Sequence, residues 1–182
     1  REIIIDIISN KWVDVVVATG ATLTHDLGEA LGYRHYQGDA NADDAELHKK
    51  GLDRVYESLM PNKIYEGMEE FIASNFENLK GKKSIKDFLW EIGNLTPKKS
   101  ILKACYENKI PIFCPAISDS GIGLMIWGQL AKGKNVDVRA FEDLKEIIDI
   151  AWTAKKCGVI YFGGGVPKNY IQQAMQFSKK AS

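Results

Sequence analysis

The 182-residue chain sets 24 lysines and arginines against 24 aspartates and glutamates, so no global field draws it toward nucleic acid or an anionic membrane. Its 45% hydrophobic content suits a globular chain with a substantial core and argues against disorder. No apolar run approaches the roughly 20 residues of a membrane span, and the charged start Arg1-Glu2 is not a secretory signal. Cys105, Cys114 and Cys157 lack the paired spacing of zinc or redox sites and read as small hydrophobes in a reducing cytoplasm.

Taken in chain order, Ile4, Ile7 and Ile8 form a helical stripe over residues 1–10, and Asn10-Lys11 ends it before a predicted strand Val13–Ala18. Thr22 or Thr24 is placed to cap a helix that runs through Asp26, Leu27 and Ala30 to Leu31 and stops at Gly32. Tyr33 to about Ala45 is polar and reads as a surface loop of the kind that borders active sites. Helical patterns follow at about 46–59, 62–79, 84–94 and 98–107. A second strand is predicted at Ile110–Cys114, then helices at 121–131 and 141–156, a third strand at 158–162 and a closing helix at 166–178. The chain reads as one α/β domain over residues 1–182, with a doubly wound, mostly parallel sheet. It begins on Arg1 inside a helical pattern without an initiator methionine, so it is expected to be a portion of a longer chain, with further segments or a partner protecting the sheet edges.

The strongest chemical signal is Gly158-Val-Ile-Tyr-Phe-Gly-Gly-Gly-Val-Pro-Lys-Asn169, a buried-strand pattern that runs into three glycines and opens a helix. Glycines there let backbone N–H groups approach a phosphate, and the helix N-terminus adds partial positive charge. The same order of apolar run, then small and hydroxyl residues, occurs at Val13–Thr22 and Ile110–Gly121. Three such junctions imply parallel strands whose carboxyl ends share one crevice, where one ligand would touch all three. The glycines stand together rather than as GxGxxG, so the common dehydrogenase fingerprint is not present, and a purely structural turn stays open on these residues alone. Asp119 has two readings as well: acceptor for ribose hydroxyls, or N-cap ahead of Gly121.

Other patterns fail on their chemistry. Gly128-Gln-Leu-Ala-Lys-Gly-Lys134 has phosphate-loop spacing, but Asn135 stands where Ser or Thr should hold magnesium, and the segment follows a helix. Asp39, Asn41 and Asp43 imitate a calcium loop, yet Asp44 replaces its glycine and Lys50 its bidentate glutamate. His25, His35 and His48 lack metal-ligand spacing, and no GxSxG elbow supports a serine hydrolase.

Val16-Val-Ala-Thr-Gly-Ala21, His25-Asp26, Gly51-Leu-Asp-Arg-Val55, Ile110-Pro-Ile-Phe-Cys-Pro-Ala-Ile-Ser-Asp119 and Phe162-Gly-Gly-Gly-Val-Pro-Lys168 together resemble the deoxyhypusine synthase family, in order and spacing, over nearly the whole chain. The resemblance implies an NAD-binding, Rossmann-like fold in a homotetramer with active sites between paired subunits. It also implies the reaction: spermidine is oxidised by NAD, and its aminobutyl group passes through an imine on an enzyme lysine to a lysine of the hypusine-bearing translation factor. By the same resemblance Thr19, Gly20 and Ala21 match the first cofactor loop, Asp119 the cofactor-contacting aspartate, and Gly164, with Gly165 beside it, the glycine under the dinucleotide.

The amine pocket departs from the family pattern: His25 stands for a glutamate, Leu124 for an aspartate and Asn169 for a histidine, with His25 and Asn169 kept as substrate-side candidates. Replacing carboxylates around a polycation weakens its binding where those sites are buried. The family's nucleophilic lysine lies in a Trp-Gly-Lys segment that does not occur in this sequence; Lys168 is not its equivalent and reads as a surface or phosphate-side lysine, so no catalytic residue is named. Transfer to a free diamine, as in homospermidine synthesis, and a non-catalytic NAD-binding regulatory paralogue remain as alternatives. A sirtuin-like deacylase lacks its Gly-Ala-Gly, His-Gly and zinc-cysteine motifs here.

Overall fold

The computed structural model describes residues 1–178. Helix α1 (Glu2–Ser9) buries Ile5 and Ile8, and the Asn10 side chain closes it by donating to the Asp6 carbonyl at 2.9 Å. Strand β1 (Val16–Val17) leads into α2 (Gly20–Ala30). The cap of α2 is Thr19, whose Oγ1 accepts from Thr22 N at 3.1 Å, and neither Thr22 nor Thr24 fills that role. Thr24 is buried and turns its hydroxyl back to the Gly20 carbonyl at 2.9 Å.

The predicted helix over 46–59 is instead a short helix and a hairpin. Helix α3 (Asp44–Lys49) is capped by Asp43, whose Oδ1 accepts from Ala45 N and Glu46 N, and Gly51 at φ 70° ends the segment. Strand β2 (Tyr36–Gln37) pairs with β4 (Ser58–Pro61), which also pairs with β3 (Leu52–Val55), all antiparallel in the order β2-β4-β3. Val55 faces Ser58 across the two-residue turn Tyr56-Glu57. Leu52, Val55 and Leu59 fall at helical spacing, which hid the hairpin from periodicity.

The expected helix over 62–79 is α4 (Lys63–Ser74) and α5 (Phe76–Leu79), divided at Asn75, whose amide donates to the Phe71 carbonyl. Strand β5 (Lys82–Ser84), absent from the sequence reading, follows, and then α6 (Ile85–Leu95) and α7 (Ile101–Asn108). Strand β6 (Ile112–Phe113) leads to α8 (Gly121–Ala131), whose bounds match expectation. Strand β7 (Asp137–Arg139), helix α9 (Ala140–Thr153) and helix α10 (Val166–Met175) complete the described chain. The closing helix, expected over 166–178, ends at Met175.

Two parallel pairs organise this α/β fold. In the first, Val16 faces Ile112 and Val17 faces Phe113; in the second, Lys82–Ser84 align with Asp137–Arg139. Strand alternation sends Val16, Ile112 and Cys114 into a core with Leu23, Leu27, Phe88, Leu102 and Ile122. Val15, Val17 and Phe113 point the other way, onto Ile147, Ala151, Ile171 and Ala174 of α9 and α10. Helices therefore cover both faces of β1 and β6, as a doubly wound arrangement requires.

The third predicted strand, 158–162, has no regular structure, and Ile160 and Phe162 are exposed at 73% and 74%. A buried parallel strand needs a hydrogen-bonding neighbour and two covered faces, and among the described residues this segment has no strand partner.

Candidate functional site

Parallel pairing sets the carboxyl ends of β1 and β6 side by side, and Ala18 N continues the ladder to the Phe113 carbonyl at 2.9 Å. The loops leaving them touch. A Cβ at Gly20 would lie 2.4 Å from Ser120 Cβ and 3.2 Å from the Asp119 carbonyl, so only glycine permits this approach. Reciprocally, a Cβ at Gly121 would meet Thr24 Cγ2 at 2.5 Å, and Ile122 N donates to Thr24 Oγ1 at 3.4 Å. The first turns of α2 and α8 are thus locked together.

Ser120, not Asp119, caps α8: its Oγ accepts from Gly123 N at 3.0 Å and donates to the Ile117 carbonyl at 2.5 Å. Asp119 is exposed, and among the described residues its carboxylate enters no hydrogen bond or ion pair. The capping reading of Asp119 is therefore set aside by Ser120. Thr19 and Ala21 are exposed at the start of α2, whose first turn carries no acidic residue to oppose an anion.

The glycine turn differs. Gly163 and Gly165 sit at φ 88° and 82°, and a Cβ at Gly163, Gly164 or Gly165 would meet nothing within 4 Å. The helix it opens, α10, packs through Tyr170, Ile171 and Ala174 onto the same core as Val17 and Phe113. No hydrogen bond among the described residues joins Gly164 to Thr19 or Asp119. Asn169 is exposed, with its backbone N–H on the Gly165 carbonyl. Lys168 is exposed, its Nζ 5.6 Å from the centre of the Tyr161 ring.

One turn along α2 from Ala21, His25 lines a cleft of about 360 Å³ with Thr22, Asp26, Glu29, His35, Met60 and Ile101 among its walls. His25 Nδ1 lies 2.9 Å from His35 Nε2, and His35 Nδ1 lies 3.0 Å from Glu29 Oε1. Burial and the neighbouring His35 hold His25 below the ordinary histidine pKa, with Glu29 opposing more weakly. Asp26 is buried at 3% exposure; burial raises its pKa against the nearby Arg1 guanidinium, whose Nε donates to Oδ1 at 2.8 Å, while Ile101 N donates to Oδ2. Leu124 is 59% exposed, and neither it nor Asn169 lines this cleft.

Residues Thr22, His25, Asp26 and Glu29 share one face of α2 by their i, i+3, i+4, i+7 spacing, a polar stripe readable in the sequence but not read as a site. His35 and Arg1 carry no such signal. A second groove of about 440 Å³ sets Lys82, Lys83, Arg139 and Lys145 against Asp87, Glu142, Glu146 and Asp149, and contains none of the candidate residues. Behind it both oxygens of buried Asp143 accept from Lys86 N at 3.1 Å, and burial pushes its carboxyl up to about 6. Cys105 and Cys114 are pushed up to about 12, chiefly by burial, so neither is a ready nucleophile.

The family model described as deoxyhypusine synthase matches residues 1–182. A Methanosarcina acetivorans protein named "Probable deoxyhypusine synthase 1" is 42% identical over 183 aligned residues, covering 100% of this chain and 57% of its own. An Archaeoglobus fulgidus protein named "Probable deoxyhypusine synthase 2" is 41% identical over 95% of this chain and 58% of its own. The chain thus spans less than two thirds of the length of these relatives. A crystal structure assigned as a deoxyhypusine synthase from Entamoeba histolytica superposes with a TM-score of 0.64 at 24% identity, over 91% of this chain and 52% of that one.

Proposed function

Because the chain belongs to the deoxyhypusine synthase family, we propose that the protein serves an NAD-dependent transferase that moves an aminobutyl group from spermidine to a lysine of the hypusine-bearing translation factor. One observation carries the reading: the touching junctions Thr19-Gly20 and Asp119-Ser120, at the carboxyl ends of parallel strands, open beside a cleft lined by His25. Thr19, Gly20 and Ala21 would meet the dinucleotide phosphates at the start of α2, Asp119 would accept from ribose hydroxyls, and Gly164 and Gly165 would leave backbone open beneath the cofactor. Bound NAD supplies a hydride acceptor, which makes the carbon next to an amine nitrogen electrophilic.

Helix α8 supports assembly as a homotetramer. It exposes Leu124, Trp127 and Leu130, and buries only Ile122 and Gln129. A helix apolar on nearly all sides is covered in the working protein, and a neighbouring subunit meets that need. The cytoplasm fits the free thiols Cys105, Cys114 and Cys157, and no helix among the described residues is long and apolar enough to cross a membrane.

The test is incubation with butyl-labelled spermidine, NAD, putrescine and the translation factor. Label in a lysine of the factor is the expected result. Label in the free diamine would instead establish homospermidine synthesis, and NAD binding with no label in either acceptor would leave a regulatory paralogue.

A further inference from the structure

The histidine pair in the cleft is ordered by chemistry at one end. Glu29 Oε1 offers only lone pairs when ionised, so His35 Nδ1, 3.0 Å away, carries the proton and donates. In neutral His35 the other nitrogen, Nε2, is then an acceptor, and its neighbour at 2.9 Å, His25 Nδ1, must donate to it. That leaves His25 Nε2 with a free lone pair, and among the described residues no partner takes it. The ring nitrogens face one another rather than a shared point, and among the described residues no group of three or more His, Cys, Asp or Glu could hold a metal ion.

Resting on the reading of this cleft as an amine site, we propose that Glu29, His35 and His25 form a proton relay in which His25 Nε2 accepts the proton of the bound amine. The need is chemical: a protonated amine has no lone pair to assist hydride loss from its neighbouring carbon. The N–H bond of the substrate ammonium breaks and its proton bonds to His25 Nε2. The proton on His25 Nδ1 passes to His35 Nε2, and the single positive charge comes to rest on the His35 imidazolium beside Glu29. No electron moves in this step, and reversal returns the proton when the amine is re-formed. His25 would be the catalytic residue, and His35 and Glu29 the positioning residues.

The surroundings agree. The lowered proton affinity of His25 keeps it neutral, an acceptor rather than a second cation against the substrate. The charged groups around it are Arg1, whose Nε lies 3.3 Å from Glu29 Oε2, and Asp26, held by Arg1 and Ile101 N. The hairpin contributes Val55, Ser58 and Met60, and α1 contributes Ile4, none of them titratable near neutrality.

Nitrogen-15 NMR of the histidine rings at mildly alkaline pH, without ligands, tests the relay directly. His25 is expected as the Nδ1–H tautomer, and the Nε2–H tautomer would overturn the proposal. In His35→Phe, hydride transfer from spermidine to NAD in a single turnover is expected to fall by about 10²-fold. That deficit should shrink as pH rises into the range where the amine loses its own proton, while the dissociation constant for NAD stays unchanged. Glu29→Gln should move the acid limb of the pH profile to lower pH, because the carboxylate charge that opposes the lowering of the His25 pKa is lost. A pH profile unaltered by both substitutions overturns the relay. If the unsubstituted protein transfers no hydride from spermidine, the functional reading fails, and the tautomer alone then decides the relay.

Discussion

Glycine does opposite work at the two ends of the candidate cofactor site. At Gly20 the absent side chain is already filled space: Ser120 and the Asp119 carbonyl occupy it, and the contact welds α2 to α8. At Gly163–Gly165 nothing lies where a side chain would go, and two of the three residues adopt positive φ. The first region is built by packing, whereas the second holds a backbone shape open to solvent. A glycine-rich turn in a sequence therefore announces either a close approach within the protein or room kept for something else, and only the neighbours tell which.

Substitutions separate the two cases. Gly20→Ala should cost the most, about 2–3 kcal/mol in denaturant unfolding, because a Cβ 2.4 Å from Ser120 Cβ forces α2 and α8 apart. NAD affinity measured by calorimetric titration should fall with it. Gly165→Ala should lose about 1–2 kcal/mol from backbone strain alone, since φ 82° with ψ −150° is a region side chains avoid.

Ser120→Ala should lower stability by about 1 kcal/mol through the missing cap. Its neighbour provides the control: Asp119→Asn should leave the melting temperature unchanged and weaken NAD binding about tenfold, as loss of a charged acceptor would. Equal stability losses at 119 and 120 would return Asp119 to the cap. Smallest is Gly164→Ala, expected below about 0.5 kcal/mol in stability because its Cβ meets nothing. A weaker NAD complex in that variant would sharpen the contrast; a large loss of stability would erase it.

Apolar periodicity made much of this legible: the periods after the first two junctions located α2 and α8, and Gly121–Ala131 fell where expected, because that signal acts within a few residues. The caps themselves fell elsewhere, on Thr19 and Ser120 rather than on Thr22, Thr24 or Asp119. The first two junctions were legible for the same reason. Less so were β5 and β7, whose Lys82-Lys83-Ser84 and Asp137-Val138-Arg139 carry no apolar alternation and become strands only by pairing with each other. The segment 158–162 failed in reverse, with the composition of a buried strand but no described strand beside it. In the cleft, His25 was singled out as a departure from the family pattern, but its partners were not, since His35 lies beyond the stop at Gly32.

From its sequence alone the chain determined its family, its α/β class and the loops that leave β1 and β6, all of which rest on local order along the backbone. Tertiary structure decided what those loops touch: the Gly20–Ser120 weld, the His25–His35–Glu29 array, and the reach of Asp26 across 75 positions to Ile101 N. Periodicity and caps act over one or two turns, whereas these contacts exist only once chain closure and core burial bring distant segments together.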